Sequence, residues 1–187
     1  GSPTGKTTPC TLEEIESGSH QIRLMKAMFK PVQQNVTVND GETTNVTIDL
    51  QPNFATVNIS TKPEATIYVD DQQKNSGNWS GRLDAGVHTI TAKKDKHKPD
   101  ETTLELNTGE EKNITLKPTP KEGTLEVVSR PMGAQISING KNHGTTPNTI
   151  RDLLIGEYKV TLAKDGYGSI SKTVTIKENE TITIDET

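Results

Sequence analysis

Apolar and polar residues alternate along much of the C-terminal third of the chain. Leu125/Val127, Ile136/Ile138, Tyr158/Val160/Leu162, Val174/Ile176 and Ile182/Ile184 each place apolar side chains at every second position. A period of two with one apolar face predicts half-buried β-strands, because successive side chains of an extended chain point to opposite sides. Turn residues punctuate these segments: Pro131-Met132-Gly133, Asn139-Gly140, Gly144 to Pro147, Gly156, Lys164-Asp165-Gly166 and Glu178-Asn179. Asn139-Gly140 between two alternating runs is the pattern of a tight two-residue hairpin, whose backbone requires positive φ. No stretch has a helical period, and residues 148–155 have room for one helical turn at most. Five or more short strands with frequent turns predict a sandwich of two small sheets.

The same pattern recurs. Thr7-Thr8-Pro9, Leu12, Ile15, Gly18, His20, Ile22, Leu24, Lys26 and Phe29 match Thr145-Thr146-Pro147, Ile150, Leu153, Gly156, Tyr158, Val160, Leu162, Lys164 and Tyr167, every pair 138 residues apart. A middle copy matches the last at offsets of 70 (Leu83, Gly86, His88, Ile90, Ala92, Lys94) and 68 (Ala55, Val57, Ile59, Pro63). The change of offset marks loop insertions, which cost little in chain entropy. Two complete copies therefore occupy 53–118 and 119–187. Residues 1–52 begin with Gly1-Ser2, which reads as an expression scar, and residues 3–52 hold only the second half of a third copy. Pro52 and the run Lys117-Pro118-Thr119-Pro120-Lys121 mark the boundaries, since proline cannot extend a ladder and favours extended backbone. The expected arrangement is beads on a string with modest contacts between neighbours. The half copy lacks two leading strands, so exposed sheet edges are expected there, and with them a monomer or a weak oligomer formed through that copy.

The last copy resembles the PEGA domain family. The residues that carry the resemblance are Gly123-Thr124-Leu125-Glu126-Val127, Ser129-x-Pro131-x-Gly133-Ala134, Ile136-x-Ile138-Asn139-Gly140, Gly144-x-Thr146-Pro147, Leu153-x-x-Gly156-x-Tyr158-x-Val160 and Lys164-x-Gly166-Tyr167. Met132 stands where the naming tetrad has glutamate. The resemblance is close over 123–184, weaker over 53–118, where the glycine after Pro63-Glu64 and the Thr-Pro turn are missing, and partial over 3–52. It implies tandem small β-sandwiches related to transthyretin (prealbumin)-like modules, of the kind found as accessory units in bacterial and archaeal surface or secreted proteins. The family brings no catalytic residues to carry over.

Composition agrees with an all-β chain of small cores. Threonine supplies 28 residues and Ile plus Val 26, while hydrophobic residues make up 29% and aromatics 3%; β-branched side chains suit a pleated surface. The net charge of −4 is spread as −2, −1 and −1 over 1–52, 53–118 and 119–187. Nucleic acid is a poor partner for such a surface, because phosphate binding needs concentrated Lys and Arg. No apolar run approaches the ~18 residues of a membrane span. Lone Cys10 has no internal disulfide partner.

Candidate chemistry is sparse. Gly5-Lys6-Thr7 lacks the glycine spacing of a phosphate loop and has no strand before it or helix after it. His20 and His88 share one repeat position with Tyr158, and His97 shares another with Phe29 and Tyr167, so the histidines replace aromatics in separate copies instead of converging on a metal. His143 stands alone in the Asn139–Pro147 turn. Asp70-Asp71 with Asn75 and Asn78 supplies oxygen ligands suited to calcium, but aligns with the Asn139-Gly140 turn. Six N-x-S/T sequons, at Asn35, Asn45, Asn58, Asn78, Asn113 and Asn179, follow from a Thr-rich strand protein. The basic cluster Lys93 to Lys98 reads as a solvated hairpin end. Trp79, flanked by Asn78 and Arg82, is the one candidate ligand contact, since an aromatic platform beside amides suits sugar stacking or a protein hot spot; the competing reading is that its ring caps the sandwich as a core plug. No catalytic, cofactor or metal residue is assigned.

These observations give a leading expectation of a non-enzymatic, extracytoplasmic (periplasmic, surface or secreted) spacer and interaction scaffold. The alternative is a glycan- or protein-binding module using the Trp79 loop, and a third reading is the accessory segment of a larger enzyme.

Overall fold

The computed structural model describes residues 3–187, so the reading of Gly1-Ser2 lies outside the described residues. Among the described residues the chain forms eighteen β-strands and no helix. A first hairpin is made by β1 (Gly18–Leu24) and β2 (Val32–Val38). The middle repeat supplies β3 (Phe54–Thr61), β4 (Thr66–Val69), β5 (Gln72–Ser76), β6 (Asn78–Asp84), β7 (Gly86–Lys93), β8 (His97–Lys98), β9 (Asp100–Leu106) and β10 (Glu111–Leu116). After the two-residue β11 (Thr119–Pro120), the last repeat supplies β12 (Glu122–Ser129), β13 (Gln135–Ile138), β14 (Lys141–Thr145), β15 (Asn148–Leu154), β16 (Gly156–Ala163), β17 (Ser169–Ile176) and β18 (Thr181–Glu186).

The two full copies share one strand plan. The last has a three-stranded sheet ordered β15-β12-β18 and a four-stranded sheet ordered β14-β13-β16-β17; the middle has β6-β3-β10 and β5-β4-β7-β9, the same order strand for strand. In the last copy β12 pairs antiparallel with β15 and parallel with β18. Alternation along these strands sends Leu125, Val127, Ile150 and Ile184 of the first sheet, and Ile136, Ile138, Val160, Leu162 and Ile176 of the second, into one buried cluster. Each such side chain contributes roughly 1.5–3 kcal/mol on burial, and this small core needs only a few of them. The Asn139-Gly140 hairpin has φ of 48° and 83°, and Asp70-Asp71 forms the same turn in the middle copy with φ of 48° and 61°. The stretch 148–155, read as room for a helical turn, is instead strand β15, because Glu126 and its neighbours on β12 supply the pairing partner.

A buried hydroxyl pair links the ends of β12 and β14. Thr146 Oγ1 lies 2.5 Å from Ser129 Oγ and accepts the Ala134 N–H at 3.0 Å. The middle copy lacks the Thr-Pro turn, and there Thr61, at the position of Ser129, accepts the Ala65 N–H at 2.9 Å and donates to the Gly77 carbonyl.

The half copy keeps only its self-contained hairpin. β1 and β2 correspond to β16 and β17 and pair through seven positions, from Gly18↔Val38 to Leu24↔Val32. Residues 10–16 and 43–48 correspond to β15 and β18 but form no strand. Both of those strands bond to β12, and no counterpart of β12 lies within residues 3–52. A strand exists only as one side of a ladder, since its backbone groups need partners. Leu12, Ile15 and Val46 of these segments are accordingly exposed.

Pro52 and Pro120, read as breaks in pairing, each sit in a short antiparallel bridge. Phe29 is opposite Pro52, flanked by Lys30 N–H to Gln51 O and Asn53 N–H to Met28 O, both 2.8 Å. His97 is opposite Pro120, and Lys121 N–H donates to Lys96 O at 2.8 Å. The antiparallel ladder alternates bonded and non-bonded pairs. Each proline takes a non-bonded position, where its missing N–H costs nothing. The carbonyls that follow are also used: Asn53 O accepts from Ala85 N and Lys121 O from Ile155 N, both at 2.9 Å.

The chain forms two compact units. One runs to Ile59 and adds Trp79–Thr89 and Thr103–Ile114; the other comprises Ser60–Asn78, Ile90–Thr102 and Thr115–Thr187. The division passes through the middle repeat, and each proline bridge lies wholly within one unit.

Candidate functional site

The Asn75–Arg82 stretch reads as a loop because of its Asn, Ser and Gly content, yet it forms the end of β5 and most of β6. Pairing of β6 with β3 overrides the local turn preference. Alternation then divides the candidate residues. Trp79 shares a face with Gly81 and the buried Leu83, while Asn78, Ser80 and Arg82 lie on the other. Trp79 is half-buried and its ring lies against Gly81: a Cβ added there would stand 2.4 Å from Trp79 Cζ2. Arg82 places its guanidinium carbon 4.5 Å from the centre of the Phe54 ring, and Asn78 gives its carbonyl to the Asn75 side-chain amide at 2.9 Å. These three residues therefore do not form one platform.

The exposed side of the β6-β3-β10 sheet carries a polar ladder that sequence patterning did not single out. Asn58 donates from its amide to Glu111 Oε1 at 3.1 Å and Asn113 Oδ1 at 3.0 Å, and accepts from Ser80 Oγ at 2.6 Å. The available signal was the pairing of two sequons, Asn58 and Asn113, on strands that the repeat places next to one another.

Three of the four histidines bond backbone carbonyls through their rings. His20 Nε2 donates to Glu16 O at 2.7 Å and His88 Nε2 to Asp84 O at 2.8 Å; Tyr158 OH donates to Leu154 O at 2.8 Å. The same bond, to the carbonyl four residues back, recurs in all three copies with two different side chains. A carbonyl only accepts, so Nε2 carries the hydrogen in both histidines. His97 Nδ1 donates to Asp95 O, and the His143 carbonyl accepts from Asn148. Among the described residues no three His, Cys, Asp or Glu side chains are grouped to hold a metal ion. Asp70-Asp71 and Asn75/Asn78 lie at opposite ends of β5. Cys10 is exposed, and Lys6 of the Gly5-Lys6-Thr7 stretch bonds the Thr11 carbonyl. The basic cluster is tied into the Pro120 bridge through Lys96, His97 and Lys98, and Lys98 pairs with Glu178 at 2.6 Å.

The acidity of Glu110 is displaced. The Glu110 carboxylate accepts the Asn107 backbone N–H at 3.0 Å, which holds it below the ordinary carboxylate value against the opposing effect of desolvation, with Lys112 adding to the lowering. This stabilises the β9–β10 turn and is not paired with a second acid.

The strand plan, its repetition and the sequence motifs point to one family. A PEGA domain profile matches residues 1–53 and 122–187, more than half of the chain. The chain belongs to the PEGA domain family. Its middle copy lies outside those matches but has the strand order of the matched last copy. No curated protein matches the chain. Among solved structures, the Bacillus anthracis TIE protein is similar with a TM-score of 0.51 at 17% identity, over 90% of this chain and 41% of that one. BcpA, the major pilin subunit of Bacillus cereus, aligns with a TM-score of 0.26 at 10% identity, over 92% of this chain and 85% of that one. The PEGA chain thus spans about two-fifths of the length of the TIE protein. No helix among the described residues is long and apolar enough to cross a membrane.

Proposed function

We propose that this PEGA chain is a non-enzymatic spacer and interaction scaffold of a bacterial extracytoplasmic protein, organised as a half copy (1–52) and two full copies (53–118 and 119–187). Membership of the PEGA family suggests a surface-associated module. The observation that carries the reading is that equivalent positions keep their geometry and exchange their chemistry. Histidine and tyrosine make the same carbonyl bond at His88 and Tyr158, and Asp70-Asp71 turns as Asn139-Gly140 does. Repetition of shape without repetition of reactive groups suits a module that multiplies weak contacts along a chain.

The test is a glycan array together with a pull-down from cell-envelope extract, using the parent chain and Trp79→Ala. The scaffold reading expects no retained glycan and partner capture unchanged by the substitution. A glycan or protein bound by the parent and lost on Trp79→Ala overturns it in favour of a specific binding module at β6.

A further inference from the structure

Three turns of this chain share one backbone. In Lys26–Phe29, Lys94–His97 and Lys164–Tyr167 the last N–H donates to the first carbonyl, at 3.1, 3.2 and 2.9 Å. The third residue is left-handed in each: Met28 has φ 66°, Lys96 φ 56° and Gly166 φ 78°. The first two turns are occupied. Their aromatic or imidazole residue faces a proline, Pro52 or Pro120, and the carbonyl before it, of Met28 or Lys96, accepts the N–H that follows that proline. Turn and seated segment are separated by the same number of residues both times, since Met28 to Lys96 and Gln51 to Thr119 are each 68 positions.

The third turn has the same form with nothing on it. The Gly166 carbonyl and the Gly168 N–H match the groups used at the occupied turns, and neither has a backbone partner among the described residues. The space beside both glycines is open. Tyr167 is 62% exposed, whereas Phe29 and His97 are half-buried.

We propose that the Gly166–Gly168 edge is a docking site for an extended peptide segment with proline at its centre. The occupant is the proline-centred strand of a following repeat, bound as Gln51-Pro52-Asn53 and Thr119-Pro120-Lys121 are bound. In the register of the repeat this segment stands two to four positions past Thr187. Its outer residues bond the Gly166 carbonyl and the Gly168 N–H, and its proline ring lies against Tyr167. Proline suits the central place because a non-bonded position asks for no N–H, and its stiffness lowers the entropy lost on docking. This goes beyond the surface-module reading and does not depend on it.

The test extends the 187-residue chain by Pro-Thr-Pro-Lys-Glu-Gly, the sequence of residues 118–123, which sets the second proline at position 190. Amide hydrogen exchange is read residue by residue, with the Lys30 and Lys98 amides of the occupied turns as internal references. The expected result is exchange of the Gly168 amide slowed at least about tenfold relative to the unextended chain, with shifted Tyr167 ring resonances. Unchanged Gly168 exchange alongside protected Lys30 and Lys98 overturns the proposal. So does rapid exchange at Lys30 and Lys98 themselves, which would remove its premise.

Discussion

Replacing Thr146 by valine tests whether the buried hydroxyl pair holds the last sandwich together. Thr146 is 3% exposed, so whatever its side chain leaves unpaired has no access to water. Ser129 Oγ donates its only hydrogen to the Pro131 carbonyl at 2.9 Å, so the hydrogen between Ser129 and Thr146 belongs to Thr146. Valine keeps the shape and opens no cavity, which isolates the polar effect. It removes one hydroxyl–hydroxyl bond, about 0.5–1.5 kcal/mol, and orphans the Ala134 N–H inside the sandwich, about 1–3 kcal/mol. Together the Thr146→Val change destabilises residues 122–187 by about 2–4 kcal/mol, a rise of roughly 30-fold to 10³-fold in the opening equilibrium. Site-resolved amide exchange along β12, β13 and β16 measures that change directly, without assuming that the whole chain unfolds in one step. Amides of the β1–β2 hairpin serve as the unaffected reference. A change below about 0.5 kcal/mol would refute the reasoning, because it would mean that the Ala134 N–H finds another partner at no cost.

Other expectations follow from single contacts. In a urea titration, His88→Phe keeps a ring but loses the bond to Asp84 O and destabilises by about 1 kcal/mol, whereas His88→Tyr restores the bond as Tyr158 makes it and stays within about 0.5 kcal/mol of the parent. Gly81→Ala drives a methyl into the Trp79 ring, so tryptophan fluorescence shifts to the red as the ring is displaced toward water; an unchanged spectrum counts against that close contact. Glu110 has its acidity raised on folding, first by the Asn107 N–H, so its contribution is complete above the ordinary carboxylate value and is lost only as pH falls through the lower folded value. The Asn107 amide resonance is expected to follow that late titration and to lose it in Glu110→Gln; a titration at the ordinary carboxylate value would contradict the assignment.

The alternating segments of the last copy were legible because each has one buried face: β12, β13, β16, β17 and β18 all coincide with a predicted run. β14 was not, since Lys141–Thr145 is an edge strand whose side chains mostly face water and leave no period. β15 hid behind the neighbouring Thr-Pro turn. Trp79 was legible as a residue and not as a site. Its neighbours Asn78 and Arg82 were grouped as a loop would group them, and strand alternation separated them. Pro52 and Pro120 carried the opposite lesson. Composition marks proline as an interruption, but only the register tells whether an N–H is needed there, and register depends on the partner strand.

The pairing of the two occupied turns with a proline 23 residues later in the chain makes copy number a variable that the fold leaves open. A block of 68 to 70 residues from one turn to the next carries both halves of the joint, the turn at its start and the proline segment about a third of the way along. Duplicating or excising such a block leaves every joint with a matching neighbour, so lineages can lengthen or shorten the array by whole copies without a compensating substitution elsewhere.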